Sequence, residues 1–372
     1  MDVRFYDLDF NLLCIESRFK SVDWDLLFNG IGKFEMHCDT GSSLVGIALE
    51  NKYIIAVQGD RQAIITTKRF EDNKFTLFGR TLNFLLSKKV LFSFDVSDFE
   101  SNNLADVVTK LVSENFPEAE IVIDEGIDDI CNFSSNTCTL YDAISKILEE
   151  KGMGHKLFYD IKNKKWIFHL LKEQKKDLLF SESLLNMYAF EKEDSILDEA
   201  KGGYYYQKIT DMGEWDAYYN SPFLTVSPDN YGKKYTVKRS GYAMERNWTQ
   251  GNVIICKNPD GTFEEGADEK GFYKYIGDDG DGPFFFTFFS NADTYEDAEK
   301  DIEKRKSTET VTAKVKNVKF NTDYFLGDIV RLSKKIGEKV IIKKMKITGI
   351  NIWQESANEG EMPVFSEYKE EK

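Results

Sequence analysis

The sequence predicts an α+β protein that is mainly β, and three observations carry that expectation. Short stretches of alternating apolar and polar residues fill positions 1–95 and return after 176, as strands with one buried face do. Between them, two amphipathic stretches repeat their apolar residues at helical spacing. Phe (29) and Tyr (18) are plentiful and Pro is scarce (6), a composition that suits pleated, half-buried surfaces. At 372 residues the chain exceeds one ordinary core, and its 41% hydrophobic content can supply more than one.

The first strands are read from VRFYDLDFNLLCIE, KFEMHCDT, YIIAVQG and QAIITTKRF, with a turn at Gly59-Asp60 and a hairpin tip at Asp72-Asn73. Strands this short with closely spaced turns favour a barrel or a sandwich. The stretch KFTLFGRTLNFLLSKKVLF then changes period twice: strand-like to Phe78, helical through Leu82, Leu85 and Leu86, extended again from Val90. Gly79 is expected to supply a backbone conformation that ends the strand. Arg80 is expected to pair with an acidic neighbour, and Lys88-Lys89 to suit the helix C-terminus.

Over 101–116, Leu104, Val107, Val108, Leu111 and Val112 share one helical face behind an Asn/Ser cap. Over 139–152, Thr139 caps a helix whose stripe is Ala143, Ile144, Ile147 and Leu148, and Gly152 stops it. Residues 155–171 read as a hairpin turning at Lys162-Asn163-Lys164. Strands follow at 184–194 and 202–210, and the segment 211–292 is the least regular part. A charged helix is expected over 293–307, then strands at 309–318, 328–333, 338–344 and 345–354.

The net charge of −15 argues against a general nucleic-acid binder, because such proteins neutralise phosphates with Lys and Arg. An acidic wall suits a surface that DNA passes without sticking. Five cysteines (Cys14, Cys38, Cys131, Cys138, Cys256) show no metal-like spacing and read as free thiols of a reducing compartment. The N-terminus reads as a strand rather than a signal peptide, and no run approaches the ~18 apolar residues of a membrane span.

Catalytic signatures are missing from the sequence. His37, His155 and His169 are the three histidines; His37 beside Cys38 in a strand points to the opposite face and cannot form a nucleophile–base pair. GxSxG, HExxH, Walker A and GxGxxG do not occur. Asp278, Asp279 and Asp281 in GDDGDG are the metal candidate, for calcium, set against a solvated turn; the EF-hand pattern fails for want of a glutamate at its last position. The aromatic runs GGYYYQ and PFFFTFF read as core or subunit interface ahead of sugar-binding platforms.

Taken together, DLDFNLLCIESRFKSVDWDLLFNGIGKFEMHCD, QAIITTKRF, FTLFGRTLNFLLSKKVL, TDYFLGDIVRL (with Gly327 and Asp328) and KKMKITGINIWQES occur in an order that resembles one family. The chain looks like the phage tail baseplate hub proteins of siphoviruses and contractile tails, also found in phage-tail-like bacteriocins. That resemblance covers most of 1–170 and 295–360. It implies two tube-type β-barrel domains with a small α+β insert and a peripheral insertion: a first barrel at 1–95, an α+β domain at 96–175, a second barrel at 176–210 and 293–360, an insertion at 211–292 and a polar tail at 361–372. The Leu82-Leu85-Leu86 face would plug one end of the first barrel.

The resemblance further implies a non-enzymatic homotrimer, without cofactors, whose six barrels match a sixfold tail tube above while its threefold axis matches a central spike below. Tail tube protein and spike are the expected partners, with tape measure and baseplate wedge proteins as further candidates. No specific nucleic-acid binding and no stable membrane anchoring are expected, and the place of action is the virion or a tail-like particle assembled in the bacterial cytoplasm. The tube-facing surface would include 20–35 and 320–330. The alternatives are a receptor- or carbohydrate-binding tail protein and, against the missing catalytic pairs, a cell-wall hydrolase.

Overall fold

The computed structural model describes residues 2–91, 94–95, 99, 101–131, 134–135, 137–149, 151–195, 308–355 and 358–368, with strand backbone at 200–205, 240–245, 253–254, 274–275 and 286–290. Two compact units emerge, Met1–Lys192 with Thr310–Lys372, and Glu193–Glu309. In the second unit Ala200–Tyr205, Ser240–Glu245 and Phe286–Ser290 pair antiparallel in that order. The helix expected at 293–307 and the Asp278, Asp279 and Asp281 turn lie outside the described residues.

The first unit begins with strands β1 (Val3–Tyr6), β2 (Leu12–Glu16), β3 (Ser21–Leu27) and β4 (Lys33–Cys38). Helix α1 (Ser43–Glu50) and strands β5 (Ile55–Gln58), β6 (Arg61–Glu71) and β7 (Lys74–Thr81) complete the first β half. Alternation sets the faces: Val22, Trp24, Phe34, Met36, Phe75 and Leu77 turn inward onto one core, and α1 lays Leu44 and Ala48 against it. The indole of Trp24 is buried there and donates to Gln58 Oε1 at 2.8 Å. Helix α1 was not expected from the sequence; Ser42 caps it, its hydroxyl accepting from Leu44 N at 3.1 Å.

A 3₁₀ helix, Leu82–Lys88, leads from β7 into an α+β lobe. This lobe holds α2 (Leu104–Asn115), β8 (Ala119–Ile123), α3 (Leu140–Glu149), β9 (Gly154–Asp160) and β10 (Lys165–Leu171). Both helical stripes are buried and pack together on Phe168 and Leu170 of β10. Thr139 and Asp142 form a reciprocal cap, Asp142 N donating to Thr139 Oγ1 at 3.1 Å, and Gly152 at φ +62 ends the turn after α3. Among the described strands, β8 pairs parallel with β10 alone and forms an edge.

The second β half comprises β11 (Gln174–Ser181), β12 (Met187–Ser195), β13 (Thr308–Val315), β14 (Asp328–Ile336), β15 (Lys339–Glu355) and β16 (Asn358–Glu367). Its core gathers Phe180, Tyr324, Val330, Leu332, Met345 and Phe365. The two strands expected at 338–344 and 345–354 are one strand of 17 residues. One part of β15 pairs with β14, and its distal part, Gly349 to Glu355, pairs with β3 of the first half. Both halves therefore belong to one 13-stranded sheet, each curled about its own core, with β15 as the seam. The tail expected at 361–372 is instead sheet as far as Glu367, because Phe365 alternates into the core at 0% exposure.

Candidate functional site

Where the two β halves and the α+β lobe meet, Phe28 at the β3–β4 turn is wedged between two glycines from distant parts of the chain. Its amide donates to Thr348 O at 2.9 Å and its carbonyl accepts from His155 N at 3.1 Å. A Cβ on Gly154 would lie 2.3 Å from the Phe28 carbonyl oxygen, and one on Gly327 would lie 2.3 Å from the Phe28 ring. Gly327 also holds φ +89, a conformation that L side chains rarely adopt. The ammonium of Lys346 sits 4.8 Å from the Phe28 ring centroid, donates to the Gly152 carbonyl and pairs with Glu173 at 2.8 Å.

Asn83, buried in the 3₁₀ helix, ties the same junction together. Its amide donates to Gly30 O at 2.8 Å and to His155 O at 3.2 Å, and its carbonyl accepts from Leu157 N at 2.7 Å. Next to it, Asn29 donates to Ser145 O at 2.8 Å and offers its carbonyl oxygen to His155 Nδ1 at 2.9 Å. That contact places the proton on Nδ1 and leaves Nε2 a buried acceptor without a partner among the described residues. Burial holds the His155 pKa down at about 4. A cavity of about 250 Å³ opens beside this network, lined by Leu26, Leu82, Asn83, His155, Leu157 and Phe325 among others.

The residues singled out from the sequence divide between this junction and its surroundings. Gly327 and Asp328 lie in it: Asp328 is buried, caps Phe325 N at 2.9 Å and has its pKa raised by desolvation. Leu82 lines the cavity. Leu85 and Leu86, expected to plug the first barrel, belong instead to the α+β lobe, because the 3₁₀ helix packs on α3. Gly79 does not end its strand, which runs on to Thr81; the position needs space, since a Cβ would sit 2.8 Å from Ile64 O. Arg80 faces Lys33 and Ile64 across its two ladders and forms no ion pair among the described residues, so the expected acidic partner is not there.

Phe28, Asn83, Gly154 and Lys346 carry no signal legible in the sequence, because their roles arise from contacts between distant segments. The three histidines are dispersed. His37 contacts Glu35 at 2.8 Å and Thr76 at 3.1 Å, and His169 contacts Asp124 at 2.8 Å. No group of three His, Cys, Asp or Glu among the described residues is arranged to hold a metal. Cys14, Cys38 and Cys138 are free thiols, and burial pushes the Cys38 pKa up to about 12. No described helix is long and apolar enough to cross a membrane.

No protein-family model matches the sequence, and no curated protein does. Solved structures do share its architecture. The tail protein from Neisseria meningitidis MC58 matches with a TM-score of 0.52 at 12% identity, over 98% of this chain and 96% of that one. The 43 kDa tail protein of prophage MuSo2 from Shewanella oneidensis matches with a TM-score of 0.51 at 10% identity, over 99% and 98%. With two β halves sharing one sheet and an α+β lobe at their junction, this chain has the fold of these two tail proteins.

Proposed function

We propose that the chain is a structural tail hub: a homotrimeric ring that adapts a sixfold tail tube to a threefold central spike in a phage or a phage-tail-like particle. One observation carries the reading. Each chain fuses two β halves through the single strand β15, so three chains present six wall segments. A ring of that kind offers a sixfold surface to one neighbour and a threefold surface to the other. Tube protein and spike are then its main partners, with tape measure and wedge proteins as further candidates, and its work is assembly rather than catalysis. The net charge of −15 suits a lumen that DNA traverses without adhesion.

The first test is the mass of the purified chain in solution, followed by negative-stain imaging of the same fraction. A trimer with a central hole supports the hub. A monomer that binds cell-wall glycans refutes it and favours a receptor-binding tail protein.

A further inference from the structure

The β14–β15 hairpin runs past the rest of its sheet. The pairing of β14 with β11 ends at Ser333, and the pairing of β15 with β16 begins at Met345. Residues 334–344 are therefore a two-stranded ribbon with no further ladder on either side among the described strands. Such ribbons are marginal in water unless something covers them. Val340 is 61% exposed and Ile342 67% exposed, on the same ribbon face as Lys335. Between 331 and 344 there are six basic residues and one acidic residue, in a chain whose net charge is −15. Lysines alone would mark a protected edge. Two large β-branched side chains exposed among them mark a contact surface.

The same chain carries a complementary edge. Among the described strands, β8 pairs on one side only, and Val122, Ile123 and the nearby Ile130 are 36%, 39% and 54% exposed. Residues 114–129 hold seven carboxylates and no Lys or Arg. Lys165, His169 and Lys151 engage Glu120, Asp124 and Asp129, whereas Glu114, Glu118, Glu125 and Asp128 form no ion pair among the described residues.

We propose that the basic 334–344 ribbon of one copy docks on the acidic β8 edge of the next copy of this chain, by strand addition backed by charge complementarity. The occupant is a second copy because opposite charge and matched apolar edges reside on different surfaces of one molecule. A head-to-tail contact of this kind is heterologous and closes into a ring when its rotation permits. The inference rests on the ring-forming role proposed above and assigns its subunit contact.

The experiment is sedimentation of the purified full chain at rising salt, with three variants. The wild type is expected to assemble, and to fall towards monomer as salt screens the contact. Lys335→Glu with Lys339→Glu is expected to give monomer, as is Glu118→Lys with Glu125→Lys. Combining all four substitutions in one chain is expected to restore assembly. Hydrogen exchange on the wild type at low and high protein concentration supplies a reading that does not depend on any variant folding. Concentration-dependent protection is expected at 334–344 and 119–123. Protection confined to other segments, or charge-reversed chains that assemble as well as wild type, overturns the contact and leaves the hub intact. A wild type that stays monomeric at every concentration overturns the contact, and overturns the hub as well only if that monomer binds cell-wall glycans.

Discussion

Substituting Gly327 by alanine tests the junction most directly, because three glycines separate its two penalties. Gly337, at φ +58 with no atom within 4 Å of an added Cβ, isolates the backbone penalty. Alanine there is expected to destabilise by about 1 kcal/mol, since left-handed backbone costs an L-residue about 1–2 kcal/mol. Gly154 lies outside the left-handed region, but its added Cβ meets the Phe28 carbonyl oxygen at 2.3 Å and ring atoms at 2.7 Å. Overpacking of this kind is expected to cost about 1–3 kcal/mol. Gly327 combines φ +89 with a Cβ placed 2.3 Å from the Phe28 ring, so its alanine variant should lose about 2–5 kcal/mol, the two penalties together. Urea denaturation of the three variants beside wild type measures each loss. Truncating the ring should remove the steric part, so Phe28→Ala is expected to make Gly327→Ala much less costly in a double-mutant cycle. If Gly327→Ala costs no more than Gly337→Ala, the wedge does not hold the lobes and the reasoning fails.

Other expectations follow from the same contacts. His155 is held at about 4 against an ordinary 6.5; the unfolded chain takes the proton first, so stability is intact above about pH 6.5 and falls as pH drops towards 4, by about 3 kcal/mol over that span. Urea midpoints across this range should slope accordingly in wild type and flatten in His155→Gln. Lys346→Met removes the cation over Phe28 and the donors to Gly152 O and Glu173; a loss of about 1–3 kcal/mol is expected by the same denaturation assay, since Glu173 is left without its cation. Phe10 stacks on Tyr159 at 3.7 Å and meets Trp166 edge-on at 5.5 Å. Phe10→Ala is therefore expected to speed hydrogen exchange in β9 and β10, and unchanged exchange there would show that the β1–β2 turn does not clamp the lobe.

Helix α2 was legible from its cap and apolar stripe, and α3 from a cap, a stripe and a terminator that agree, Thr139, Ile144 and Gly152. Helix α1 was not: its eight residues include five apolar side chains and a glycine, and so short an apolar run has no clear period. Strand β15 reads as two strands because Lys343, Lys344 and Lys346 break its alternation, and its first third protrudes while the remainder enters the core. The junction was the least legible part. Nothing near Gly327 in sequence announces that Phe28, 299 positions earlier, occupies the space its side chain would take. Gly79 leaves room for Ile64 O rather than supplying a conformation that ends its strand.

The seam strand also has a mechanical consequence. Separating the two β halves along the direction of β15 would load its ladders to β3 and β14 in shear, so that many hydrogen bonds resist together rather than one after another. Pulling across β15 would unzip the ladder to β3 bond by bond. The molecule is thus built to be stiff along one axis and yielding along another, and the direction of an applied load, more than its size, decides which part of the wall parts first.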